Sequence, residues 1–200
     1  MKLLLATHNR DKAKELGPLL ANLGVDVMTL DDFPSIGPVR EDADTLGGNA
    51  LLKAETVLRL SGIPSLADDT GLEVHYLNGA PGVFSARFAG EGASYAENVA
   101  LLLRLLRGVP ARRRSARFRC VLAFALPGRS PVLEEGICRG SILEAPRVAG
   151  GFGYDPVFLP AGENETFAEM GLQRKSSLSH RGLAIAKMIP HLREYCKVSG

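Results

Sequence analysis

The sequence predicts an α/β domain built on a mixed sheet. The chain opens with a strand-loop-helix pattern, and strand and helix periodicities then alternate. Two long apolar strands also flank the turn from Pro127 to Ser130, as an antiparallel hairpin requires. With 200 residues, 46% of them hydrophobic, residues 1–200 read as a single domain around one sizeable core.

Each element has its own signal. "KLLLA" (Lys2 to Ala6) is a short buried strand, and Asp11 to Leu23 reads as a helix ended by Gly24. "VDVMTL" is a second strand, followed by a loop from Asp31 to Asp44 that holds Pro34, Gly37 and Pro38. Thr45 is the expected N-cap of a second helix, on which Leu46, Ala50, Ala54, Val57 and Leu58 share a face and which Gly62 stops. "SLADDTGLEV" (Ser65 to Val74) begins as a buried strand and meets two adjacent acids, Asp68 and Asp69, where that strand is expected to end. "LEVHYL" alternates as a further strand before a turn at Gly79 to Gly82.

From Ser94 a third helix places Val99, Leu102, Leu103 and Leu106 together and stops at Gly108. "ARFRCVLAFAL" (Ala116 to Leu126) is a strand covered on both faces, and its partner is "PVLEEGICRGSIL", with Gly136 marking a bulge. A last helix spans roughly Ser177 to Cys196, with Pro190 expected to kink or shorten it.

Composition excludes some functions. A net charge of +2 and 23% charged residues do not call for a nucleic-acid or membrane partner. "ARRRSAR" (Ala111 to Arg117) lacks interleaved aromatics and reads as a solvated turn. The three cysteines, Cys120, Cys138 and Cys196, lack C-x-x-C spacing, which fits reduced cytosol. The first apolar run is too short for a signal or a membrane span.

Four stretches could carry chemistry. Thr7, His8, Asn9, Arg10, Asp11 and Lys12 lie between a strand and a helix start. This is either a phosphate cradle without the P-loop pattern, or a helix cap with Lys12 in solvent. Asp68 and Asp69 either form an Asx-type turn or place one carboxylate in a site with oxygen ligands, which suits Mg²⁺ or Mn²⁺. Strand alternation points the two acids to opposite faces. "GGFGYDPVF" (Gly150 to Phe158) offers backbone approach, the aromatic faces of Phe152 and Tyr154, and the Asp155 acceptor, which suits a planar base; the alternative is a glycine turn with Phe152 in the core. Lys175, His180 and Arg181 supply donors for keto oxygens or phosphate, or else form a solvated face.

Joint occurrence and order sharpen these alternatives. T-x-N-x-x-K, an acid (Glu41) upstream of N-A-x-x-K-A (Asn49 to Ala54), A-D-D-[ST]-G-L, P-G-x-x-S-A-R (Pro81 to Arg87), G-F-G-Y-D-P-x-F and K-x-x-x-S-H-R follow one another along nearly the whole chain. This set resembles the inosine/xanthosine triphosphate pyrophosphatase (HAM1-like) family. The resemblance implies an elongated, two-lobed fold with a twisted mixed sheet, a nucleotide cleft between the lobes, and a cytoplasmic homodimer. It also implies Mg²⁺-dependent hydrolysis of ITP, dITP and XTP to the monophosphate and pyrophosphate, which cleanses the nucleotide pool. By motif, the stretch Thr7 to Lys12 holds the phosphates and Glu41 and Asp69 hold the metal. Asp69 also activates water, with Thr70 as a ligand contact. Phe152, Gly153, Tyr154 and Asp155 meet the base, whose 6-keto group is read by Lys175, His180 and Arg181.

Near Glu41 the family's E-x-G-x-[ST]-F is "EDADTL" here, with Ala43 and Leu46 substituted, and Gly48 stands where an acid often precedes N-A. Two rival readings remain: a Maf-like pyrophosphatase for pyrimidine or other modified nucleotides, and a non-catalytic purine nucleotide sensor. No stable nucleic-acid binding is expected.

Overall fold

The computed structural model describes residues 2–149 and 151–198. Strand β1 (Lys2–Leu5) leads into helix α1 (Arg10–Leu20), a 3₁₀ turn and strand β2 (Asp26–Thr29), which pairs parallel with β1. Helix α2 (Leu46–Ser61) returns the chain to β3 (Ser65–Val74), parallel to β1 on its other side. Parallel neighbours need such helical crossovers. Strand β4 (Pro81–Gly82) pairs antiparallel with β3, and helix α3 (Tyr95–Leu105) follows. Strands β5 (Ser115–Ala125) and β6 (Val132–Ile142) are hydrogen-bonded neighbours, and β7 (Phe158–Pro160) pairs antiparallel with β6. The strand order β2-β1-β3-β5-β6-β7, with β4 on β3, makes the sheet mixed as expected. Helices α4 (Leu172–Leu178) and α5 (His180–Val198) complete the chain.

The chain divides into two compact units. One comprises Met1–Asp69, Cys120–Gly136 and Arg181–Gly200, and the other Thr70–Arg119 and Ile137–His180. Strands β3, β5 and β6 each contribute residues to both. In the first unit Leu16 and Leu20 of α1 and Ala184, Ile185, Met188 and Leu192 of α5 pack with Leu3, Leu5, Leu66, Leu122 and Phe124 of the sheet. In the second, Val99 and Leu102 of α3 join Leu72, Phe118, Phe158 and Phe167.

Several expectations are corrected. β3 does not end at the acid pair but runs on through Thr70 and Gly71, so Asp68 and Asp69 sit mid-strand, and His75–Leu77 is a 3₁₀ turn. The last helix is two helices, separated at Ser179, whose backbone is extended (φ −72°, ψ 157°). α5 continues past Pro190 to Val198. β7 went unread because three residues carry no periodicity. It lies so close to β6 that a Cβ at Gly140 would run into the Leu159 carbonyl oxygen, so Gly140 has no room for a side chain.

"ARRRSAR" is only partly solvated. Arg114 is buried, and its guanidinium donates to three backbone carbonyls: Val109 (2.9 Å), Leu143 (2.9 Å) and Leu106 (2.7 Å). These carbonyls close the end of α3 onto the strands of its unit. The Leu106 carbonyl also accepts from the Val109 N–H (3.0 Å), but an isosteric apolar side chain would take the Arg114 donor from the Val109 and Leu143 carbonyls, at about 1–3 kcal/mol for each group left unpaired. Arg114→Met should therefore lower the unfolding free energy by at least about 2 kcal/mol in a urea titration.

Candidate active site

In the first unit, the loop after β1 is shaped by its own side chains. Thr7 Oγ1 accepts from the Asn9 N–H (3.1 Å), and Asn9, the N-cap of α1, accepts from the N–H groups of Asp11 (3.0 Å) and Lys12 (3.2 Å). The helix-cap reading is thus correct for Asn9, but Lys12 is not in solvent. Its Nζ lies 3.1 Å from Asp68 Oδ1. His8 and Arg10 are exposed; Arg10 pairs with Asp31 and Asp11 with Lys14, both at the surface.

Alternation along β3 sends the two acids to different helices. Asp68, fully buried, meets Lys12 of α1 and Arg181 of α5 (Nη2–Oδ2 3.0 Å). Burial opposes its ionisation, but Lys12, Arg181 and Lys53 outweigh burial and hold the carboxyl well below the usual aspartate range. Asp69 meets α2 instead. Lys53 Nζ donates to Asp69 Oδ1 (2.9 Å) and lies 3.3 Å from Glu41 Oε1, while the Asn49 amide donates to Asp69 Oδ2 (3.4 Å). Burial pushes the Asp69 carboxyl up; Lys53 and Lys12 oppose this without cancelling it, and Glu41 adds to it. The Lys53 ammonium, despite burial, is held above its ordinary range by Asp69, Asp68 and Glu41.

Asn49 and Lys53 were missed as site residues because their neighbours Ala50 and Ala54 drew the reading to an apolar stripe. The signal was present. Leu46, Asn49, Ala50, Lys53, Ala54 and Val57 form one buried helical face, and two long polar side chains on such a face need partners.

Asp69 and Glu41 are the residues that could hold a divalent cation. Their carboxylates converge on one ammonium, and the Glu41 side chain is partly open to solvent, at 37% exposure. Among the described residues no three His, Cys, Asp or Glu cluster as a metal cage. Two carboxylates, with water and phosphate oxygens completing the shell, would suit Mg²⁺, which rarely takes an all-protein cage.

In the second unit, Phe152 is half-buried, with its ring against the edge of Tyr95 (centroids 5.4 Å apart, 76°) and the Lys175 ammonium 5.5 Å from its centre. Lys175 forms a buried ion pair with Asp155. Tyr95, exposed at the start of α3, had no sequence signal. Tyr154 differs from expectation: it is buried in the core with its hydroxyl donating to the Ser85 carbonyl (2.9 Å), and burial pushes its ionisation up. Gly153 adopts φ 58°, which turns the chain between Phe152 and Tyr154. Gly150, the first residue of this motif, lies outside the described residues. Thr70, the next residue of β3 after Asp69, is half-buried. His180 is buried and stacks on Phe118 (4.5 Å, 14°). The expected use of Arg181 as a donor to a base meets a competing demand. Its Nε and Nη2 donate to Asp68 and its Nη1 to Glu15, as a buried guanidinium requires.

The Ham1 family model matches residues 3–191. The chain belongs to the Ham1 family. A dITP/XTP pyrophosphatase of Desulforamulus reducens is 49% identical over 94% of this chain and 93% of its own length. One from Geobacillus kaustophilus is 48% identical over 94% and 92%. Among solved structures, a HAM1 protein from Coxiella burnetii superposes with a TM-score of 0.87 at 37% identity, covering 97% of this chain and 99% of that one.

Within the Ham1 pattern, the two departures near Glu41 explain each other. A Cβ at Gly48 would lie 2.8 Å from the Ala43 Cβ and 3.1 Å from Thr45 Oγ1, so the methyl at position 43 occupies the space that position 48 would need. The Ala43 N–H donates to Asn49 Oδ1 (3.0 Å), which ties the Glu41 loop to the residue that also contacts Asp69. Gly48→Ala should cost about 1–3 kcal/mol by overpacking, beyond what helix propensity returns, and Ala43→Gly in the same chain should recover it. Urea titrations of the two single variants and the double variant measure this coupling.

The acids should also part company in stability. Asp68 titrates lower folded than unfolded, so its contribution is fully present above about pH 4 and fades as the pH falls through its depressed value. Asp69 titrates higher when folded, so its ionised form costs stability at neutral pH. At pH 7, Asp68→Asn should destabilise by about 3–5 kcal/mol, a gap that narrows in acid, while Asp69→Asn, which relieves the cost of ionising Asp69 but leaves the Lys53 ammonium to Glu41 alone, should destabilise by less. Denaturant midpoints at pH 7 and pH 3 decide both.

Proposed function

We propose that this Ham1 chain hydrolyses ITP, dITP and XTP to the nucleoside monophosphate and pyrophosphate, as a Mg²⁺-dependent homodimer of the cytoplasm. One observation carries the reading. A single strand presents Asp69, with its raised carboxyl, toward Lys53 and Glu41, and presents Asp68 toward Lys12. Membership of a family whose relatives are named dITP/XTP pyrophosphatases supports the substrate class. No helix among the described residues is long and apolar enough to cross a membrane.

The chemistry follows from the side chains. Water attacks the α-phosphorus, Asp69 takes its proton, and the bond to the bridging oxygen of the leaving pyrophosphate breaks. With Mg²⁺ bound, the cation's charge would favour the ionised carboxylate, the form in which Asp69 accepts the proton. The leaving group gathers negative charge. Lys12 and the backbone N–H groups at the start of α1 stabilise it, in the arrangement that favours anions at helix N-termini. Mg²⁺ held by Asp69 and Glu41 would neutralise phosphate charge and lower the pKa of bound water.

For the base, the residues of the G-F-G-Y-D-P and K-x-x-x-S-H-R motifs are the candidates. Phe152, propped by Tyr95, supplies a stacking face, and Lys175 with His180 supplies donors for a 6-keto oxygen. Adenine would set its 6-amino group against those donors and leave buried groups unpaired.

With ITP, dITP, XTP, GTP, ATP and UTP offered separately with Mg²⁺, pyrophosphate should be the first product and the first three the preferred substrates. Orthophosphate first, or ATP turned over as fast as ITP, would defeat the assignment; UTP preference would favour a Maf-like enzyme, and binding without turnover a sensor. Asp69→Asn should lower kcat by about 10²–10⁴-fold while remaining folded. Phe152→Ala should raise KM by about tenfold, on the scale of one lost stacking contact.

A further inference from the structure

Resting on the active-site reading above, we propose that Glu15 is a positioning residue for Lys12, acting through Arg181 and Asp68. Lys12 and Glu15 stand three residues apart on α1, on one face of the helix. Lys12 Nζ meets Asp68 Oδ1 at 3.1 Å, Arg181 Nη2 meets Asp68 Oδ2 at 3.0 Å, and Arg181 Nη1 pairs with Glu15 Oε2. Four alternating charges from α1, β3 and α5 therefore form one chain of ion pairs that begins and ends on α1, with the Arg181 and Asp68 side chains at 1% and 0% exposure.

The chain divides Asp68 between two cations, one oxygen for each. That division depends on Glu15. A buried guanidinium stays ionised and prefers a fork on both oxygens of a carboxylate. With Glu15 on its other side, Arg181 takes one oxygen of Asp68 and leaves Oδ1 to Lys12. Without the Glu15 charge, the best remaining arrangement is Arg181 across both oxygens of Asp68, and Lys12 loses the contact that aims it. Glu15 itself touches no substrate in this scheme. It also lies outside the motif residues T-x-N-x-x-K, as the third residue after their lysine.

The test is a cycle of Glu15→Gln, Lys12→Ala and the double variant, read as KM and kcat for ITP with Mg²⁺ and as the Kd of inorganic pyrophosphate by calorimetry, on proteins of verified fold. Glu15→Gln alone should lower kcat/KM for ITP and raise the Kd of pyrophosphate, each by about tenfold, with part of the loss in kcat because Lys12 meets charge that grows on the leaving group. In the Lys12→Ala background it should change either by less than about twofold. Equal factors in both backgrounds would show a merely structural residue and overturn the proposal, as would unchanged kcat/KM and Kd in Glu15→Gln. Should Glu15→Gln fail to fold, Glu15→Asp, which withdraws the charge by one methylene, enters the same cycle with the same expectations. A parent protein that turns over no nucleotide defeats the proposed function but not this inference, because the pyrophosphate cycle still reads the coupling; a parent that binds no pyrophosphate overturns it.

Discussion

Two adjacent carboxylates in the middle of a buried strand are the constraint on which the first unit is built. Neighbouring side chains on a strand point to opposite faces, so one group of cations cannot serve both acids. Each face must bring its own: Lys12 and Arg181 for Asp68, Lys53 for Asp69. Helices α1, α2 and α5 are held to the sheet by leucines and alanines, but their register on it is fixed by these ion pairs. A slip by one residue along β3 would exchange the faces and leave both carboxylates opposite the wrong helix.

The two faces are provisioned unequally, and that inequality separates support from chemistry. Asp68 has more than one cation and stays ionised far into acid, which makes it a fixed negative anchor. Asp69 shares Lys53 with Glu41, so two carboxylates lean on one ammonium and burial keeps the Asp69 carboxyl high. A group in that condition takes up a proton or a cation readily. The same logic applies in the second unit, where Lys175 is committed to Asp155 yet lies beside the Phe152 ring.

Much of this was legible in the sequence. Thr45 and Gly62 fixed both ends of α2 because capping is local chemistry, and the split of Asp68 from Asp69 followed from strand alternation alone. What was not legible depended on partners distant in the chain. A strand end was read at the acid pair because buried charges look like a turn until Lys12, Lys53 and Arg181 are known to meet them. Asn49 and Lys53 hid in an apolar stripe for the same reason. Tyr154 looked like a ligand face, yet its hydroxyl finds the Ser85 carbonyl and its ring a core place. Ser179 broke the last helix where no proline or glycine marked the break.

The central claim is that one strand holds two aspartates in opposite electrostatic states. Carboxyl-carbon NMR titration of aspartate-labelled protein, with signals assigned through the Asp68→Asn and Asp69→Asn variants, reads each directly. Asp68 should remain ionised below the usual aspartate range, and Asp69, without added divalent cation, should take up its proton above that range. Joint titration of the two at an ordinary value, or their reversal, would contradict the account.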